Sequence, residues 1–121
     1  MKSGVFALAI FPLAVFLCVQ GSPLEEVKPR QVVIEPYRRF VESLVFAADK
    51  PAKVIGIGNG RTYLALYLYD PYGNCVAWDD QGTLSIKDDV YVEFFPHHNE
   101  IYSYEIRNQG SSFNRLEIAV R

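Results

Sequence analysis

From residue 40 onward, apolar and polar positions alternate in short runs separated by turn residues. Leu64, Leu66 and Leu68 recur with period two inside Tyr63–Tyr69, which is strand geometry. Asp70-Pro71-Tyr72-Gly73-Asn74 follows as a tight turn, in which proline presets φ and glycine accepts a positive φ. Cys75–Trp78 is apolar again, so the two runs predict a β-hairpin. Phe40–Ala47, Lys53–Gly58 (closed by Asn59-Gly60), Val90–Phe95, Ile101–Arg107 and Arg115–Arg121 read the same way. In Ile101–Arg107 the pattern sets Tyr102, Tyr104 and Ile106 on one face and Ser103, Glu105 and Arg107 on the other. Leu116, Ile118 and Val120 point inward from the last run. Val41–Ala48 is short enough to suit a helix as well.

These runs predict an all-β fold of about seven to eight short strands. One-sided alternation predicts antiparallel sheets packed face to face, a small β-sandwich or a barrel. The domain spans 39–121. Residues 22–38 read as a linker or N-terminal extension, with Pro23, Pro29 and Pro36, mixed charge and little periodicity.

Residues 1–21 read as an address. Lys2 supplies a positive start, Val5–Val19 are apolar apart from Pro12, and Val19-Gln20-Gly21 offers small residues for cleavage. The apolar run falls short of the roughly 20 residues that span a bilayer. The expectation is a cleaved signal peptide and a secreted or periplasmic domain. Removing 21 of 121 residues leaves 100, enough for one domain with its own core. Without Lys2, 11 basic residues face 14 acidic ones, a net charge of −3, which points to neither nucleic acid nor an anionic membrane. Cys18 leaves with the leader, so Cys75 has no internal partner and is expected as a buried, inert thiol.

The ordered set of motifs resembles a known family. A Phe-rich first strand and a Lys-Pro-Ala turn precede Leu64-Ala65-Leu66-Tyr67-Leu68-Tyr69-Asp70-Pro71-Tyr72-Gly73-Asn74-Cys75-Val76-Ala77-Trp78-Asp79-Asp80. Val92-Glu93-Phe94-Phe95-Pro96, Tyr102-Ser103-Tyr104-Glu105-Ile106-Arg107-Asn108-Gln109-Gly110 and Asn114-Arg115-Leu116 come later. From about Phe40 to Val120 the chain resembles the bacterial pre-peptidase C-terminal domain and its stand-alone secreted relatives. The resemblance implies a jelly-roll-like sandwich with an accessory, non-catalytic role. Some related sandwiches bind calcium or matrix polymers. Relatives carry Thr-Asp-Leu-Asp-Leu where this chain has Thr62-Tyr63-Leu64-Ala65-Leu66, so no acidic ligand role carries over to residues 63 and 65.

Three residue sets are candidates for chemistry. Tyr63, Tyr67 and Tyr69 lie opposite the leucines and make a second, aromatic face suited to stacking on sugars or seating a partner chain. Asp70, Asp79, Asp80, Asp88 and Asp89 are oxygen donors of the kind calcium takes from loops, although turn-forming and solvated acids explain the same residues. Cys75, His97 and His98 lack the order and the methionine of a blue-copper site, since the only methionine is Met1. Gly56-Ile57-Gly58-Asn59-Gly60 lacks the spacing of a dinucleotide loop and reads as a strand end and turn. No acid–base or nucleophile constellation stands out. The expectation is a non-enzymatic secreted module binding a protein, a polymer or a sister subunit. The alternative is a calcium-dependent structural module.

Overall fold

In a computed structural model, residues 27–60, 62–80 and 89–121 are described. They form eight strands: β1 (Val27–Ile34), β2 (Arg39–Phe46), β3 (Ala52–Ile57), β4 (Leu64–Tyr69), β5 (Cys75–Asp79), β6 (Asp89–Phe94), β7 (Glu100–Asn108) and β8 (Asn114–Val120). Two antiparallel four-stranded sheets result, with orders β1-β8-β3-β6 and β2-β7-β4-β5. This is a β-sandwich with jelly-roll strand order. The seven runs read from alternation all appear, with ends within a residue of those expected. Val41–Ala48 is strand, not helix, from 41 to 46.

The core lies between the sheets. Leu64, Leu66 and Leu68 of β4 have no exposed surface, and Tyr104 and Ile106 of β7 are equally buried beside them. Leu116, Ile118 and Val120 face them from β8, with Val54 of β3 and Val90 of β6. Gly56 is buried in β3, where a Cβ would lie 3.0 Å from Val90 Cγ2 and 3.3 Å from Leu116 Cδ1. It belongs to close sheet packing and not to a phosphate loop. The turn after β3 uses Gly60 at φ 83°, and the hairpin turn uses Gly73 at φ 86°.

The linker expectation for 22–38 is corrected from Val27 onward. β1 pairs antiparallel with β8, from Val27↔Val120 to Ile34↔Asn114. Its alternation is one-sided: Ile34 is buried while Gln31 and Val33 are exposed. The register slips between Val27 and Arg30, around Pro29, which cannot donate to the ladder and is tolerated at a sheet edge. Arg30 then reaches across to the other sheet. Glu42 of β2 accepts hydrogen bonds from Arg30 and, at 2.5 Å, from the Tyr104 hydroxyl. Burial first, and the bond to Glu42 second, push the Tyr104 phenol well above its ordinary pKa.

Asn108 organises one end of the sandwich. Its Nδ2 donates to Ile34 O at 3.0 Å and Ser112 O at 2.8 Å, while its backbone N–H donates to Arg38 O at 2.9 Å. The β1–β2 connection, where Tyr37 has φ 59°, is thereby pinned over the end of β7.

Candidate functional site

The outer face of the β2-β7-β4-β5 sheet concentrates the unusual side chains. Directly opposed residues in a ladder point to the same face. One row therefore runs Val41, Glu105, Tyr67, Trp78 across the four strands. The row on one side holds Arg39, Arg107 and Ala65; the row on the other holds Ser43, Ser103, Tyr69 and Cys75. Val41 and Trp78, at the two ends of the middle row, are 51% and 61% exposed.

Glu105 sits at the centre, yet only 3% of its surface is exposed. Four donors cover its carboxylate. Arg39 Nη1 and Arg107 Nε each reach Oε2 at 3.1 Å, Arg107 Nη2 reaches Oε1 at 3.3 Å, and the Tyr69 hydroxyl reaches Oε1 at 3.0 Å. Burial alone would raise its pKa. The donated bonds from Arg107, Arg39 and Tyr69 outweigh that and hold it below its ordinary value, so the group is anionic at neutral pH. Burial, followed by the bond to Glu105, pushes the Tyr69 phenol up.

The arginines are held from below and open above. The Arg107 guanidinium lies 4.6 Å from the centre of the Tyr67 ring, a cation–π contact. Tyr67 and Tyr69 stack at an interplanar angle of 27° with ring centres 6.5 Å apart. Beyond Arg39 and Arg107, an open groove of about 700 Å³ continues between Tyr37, Arg38, Asn108 and Gln109, with Glu105 among the residues that line it. The outer face of the other sheet is built differently, from opposed residues such as Lys53 and Glu93 and from Glu117 beside Gln31.

The tyrosine-face expectation thus places Tyr67 and Tyr69 in one cluster. Tyr63 precedes β4, half-buried, and joins the β7–β8 loop through its carbonyl, which accepts from Gln109 N–H at 2.9 Å. Glu105, Arg107, Arg39 and Trp78 were not singled out from the sequence. Their signal is present only as odd positions on polar strand faces, and it needs the β2-β7-β4-β5 order to be read.

Among the described aspartates, Asp70 stands apart from Asp79 and Asp80. The Asp70 carboxylate accepts the backbone N–H groups of Tyr72 and Asn74 at 2.9 and 2.8 Å, closing its own turn. Those bonds, from Asn74 foremost, lower its pKa. Asp79 and Asp80 lie at the far end of β5, five strand residues or about 15 Å away. Asp79 Oδ2 accepts from Tyr91 N–H at 3.0 Å, linking β5 to β6, and Asp80 Oδ2 accepts from the Tyr67 hydroxyl at 3.5 Å. Asp89 is exposed at the start of β6, and Asp88 lies outside the described residues. Among the described residues no three His, Cys, Asp or Glu side chains gather to hold a metal ion. His97 and His98 are exposed in the β6–β7 turn.

Cys75 is exposed, contrary to the buried thiol expected. The cause is a bulge: the ladder passes from Leu68↔Ala77 to Tyr69↔Cys75, skipping Val76. One extra residue inverts the alternation. Val76 and Ala77 both pack toward the core, and Cys75 turns outward beside Tyr69.

Comparison with known families and with curated proteins finds no match.

Proposed function

We propose that this chain is a non-catalytic, exported binding module that holds an extracellular polymer on the outer face of the β2-β7-β4-β5 sheet. The observation carrying this reading is the row Val41–Glu105–Tyr67–Trp78, flanked by Arg39 and Arg107. A solvated sheet face normally carries scattered polar residues. This one carries stacked tyrosines, an exposed tryptophan and two arginines organised by one buried carboxylate. Flat aromatic faces beside fixed hydrogen-bond donors suit the apolar faces and hydroxyl rims of sugar rings. Export rests on the composition of residues 1–21, and the accessory role accords with the resemblance to pre-peptidase C-terminal domains.

Affinity electrophoresis through gels containing neutral and acidic polysaccharides tests the reading. Retardation by at least one polymer is expected. Tyr67→Ala and Trp78→Ala should abolish it, and Tyr91→Ala on the opposite sheet should not. Equal mobility in every gel, or loss only with Tyr91→Ala, overturns it. A protein or sister subunit on the same face would appear instead as concentration-dependent sedimentation sensitive to Trp78→Ala.

A further inference from the structure

We infer that the polymer is anionic, a polysaccharide bearing uronic-acid carboxylates, and that Arg38, Arg39 and Arg107 read its charge. This rests on the polymer-binding reading and specifies its ligand. Arg38, Arg39 and Arg107 with Glu105 give the groove a local charge of +2, from three cations and one anion, on a chain whose net charge is −2. The excess is therefore local and opposite in sign to the whole.

Glu105 sets the arginines without consuming them. A guanidinium carries five N–H donors. Arg39 spends one on Glu105 and Arg107 spends two, leaving four and three. The Arg39 and Arg107 side chains are 67% and 45% exposed. Arg38 is exposed at the rim, on a loop fixed by the Asn108 N–H to Arg38 O bond. Planar forks with donors to spare match carboxylate oxygens two at a time.

The aromatic positions decide between an acidic sugar chain and an acidic peptide. The groove lies at one end of the β2-β7-β4-β5 sheet, lined by Arg39 of β2, Glu105 and Arg107 of β7 and the adjoining connections, and in β7 and β4 the backbone pairs on both sides. A peptide added as a strand can join this end of the sheet only along the outer edge of β2, away from Arg107 and Tyr67 on β7 and β4. Recognition must come from side chains, and Tyr37, 72% exposed, offers a free ring at one end as Trp78 does at the other. Three strand spacings separate β2 from β5, about 14 Å, so the surface suits several linked units better than one small ion.

Calorimetric titration with polygalacturonate and with its fully methyl-esterified form separates charge from shape, because the backbone is the same. The acid form should bind, and the ester should bind on the order of tenfold or more weakly, the scale of one charge-assisted hydrogen bond. Roughly 1 M salt, where the Debye length is about 3 Å, should reduce the acid to the level of the ester. Arg38→Gln with Arg39→Gln should weaken only the acid form. Arg38 bonds Asn108 and Glu35 through its backbone, which Arg38→Gln retains, so this single variant keeps the test valid if the double variant unfolds. Equal binding of acid and ester overturns the inference and leaves polymer binding standing. No binding of polygalacturonate also overturns it, while retardation by neutral polymers in the gel assay judges the broader reading separately. Polyglutamate binding as tightly as polygalacturonate overturns the sugar assignment in favour of an acidic peptide.

Discussion

Replacing Glu105 by Gln probes the centre of the face. The amide keeps the shape but loses the charge, and its NH₂ meets donors where an oxygen accepted. Four hydrogen bonds converge on the carboxylate, and at least two of them must fail. Bonds to a buried charge are worth roughly 1.5–3 kcal/mol each. Arg39 and Arg107 are more than a third exposed, so each ion pair is discounted to about 0.5–1 kcal/mol. Losing one ion pair and the Tyr69 bond comes to roughly 2–4 kcal/mol. For a domain of this size that lowers Tm by on the order of 10 °C. Circular-dichroism melts of both proteins against pH provide the assay. The carboxylate pKa is depressed in the folded state, so its stabilisation is full above the unfolded value near 4.5 and fades as pH falls through the lower folded value. The gap between the proteins should therefore shrink from about pH 5 downward. A Glu105→Gln protein melting within about 2 °C of wild type at pH 7, or a gap unchanged in acid, would mean that the Glu105 charge does not hold this face together.

Gly110→Ala places a Cβ 2.7 Å from Thr62 Cβ and Cγ2; the short side chain must shift, at a cost of about 1–3 kcal/mol readable by urea unfolding. Cys75 should react with a thiol reagent in the native protein at nearly the rate of the unfolded chain, whereas a thiol silent until unfolding would contradict the outward-turning bulge. The Tyr104 phenol has a raised pKa, so its contribution is full below the unfolded value near 10 and is lost as pH rises through the folded one. Tyr104→Phe, which removes the bond to Glu42, should cost about 1 kcal/mol at pH 7 in chemical denaturation, with the difference narrowing only in strong alkali. Adding calcium and then chelator should leave Tm unchanged, because Asp70 is committed to its turn and Asp79 and Asp80 lie about 15 Å away; a rise of several degrees in calcium would revive the aspartate loops as a metal site.

Local alternation made seven strands legible because each buries one face, and period two survives in Leu64-Ala65-Leu66-Tyr67-Leu68 whatever the partners are. β1 was hidden because an edge strand needs little apolar sequence, and Pro29 breaks its pattern. The bulge at Val76 was hidden for another reason: a single inserted residue inverts every side chain beyond it, and nothing local in Cys75-Val76-Ala77 marks the position. In the site, Tyr67 and Tyr69 were legible as odd positions of one strand. Glu105 was not, because its burial depends on Arg39, 66 residues away, and on Tyr69, 36 residues away. On its own strand it alternates as a solvated acid would. Asp70 is legible as a turn former, and the length of β5 sets it apart from Asp79 and Asp80.

The most direct test of the binding face is a ¹⁵N–¹H titration of the folded protein with polygalacturonate oligomers. Shifts should concentrate on Arg39, Tyr67, Glu105, Arg107 and the Trp78 indole, with Tyr91, Lys53 and Glu117 on the opposite sheet unmoved. Shifts centred on that opposite sheet, or none on either, would contradict it.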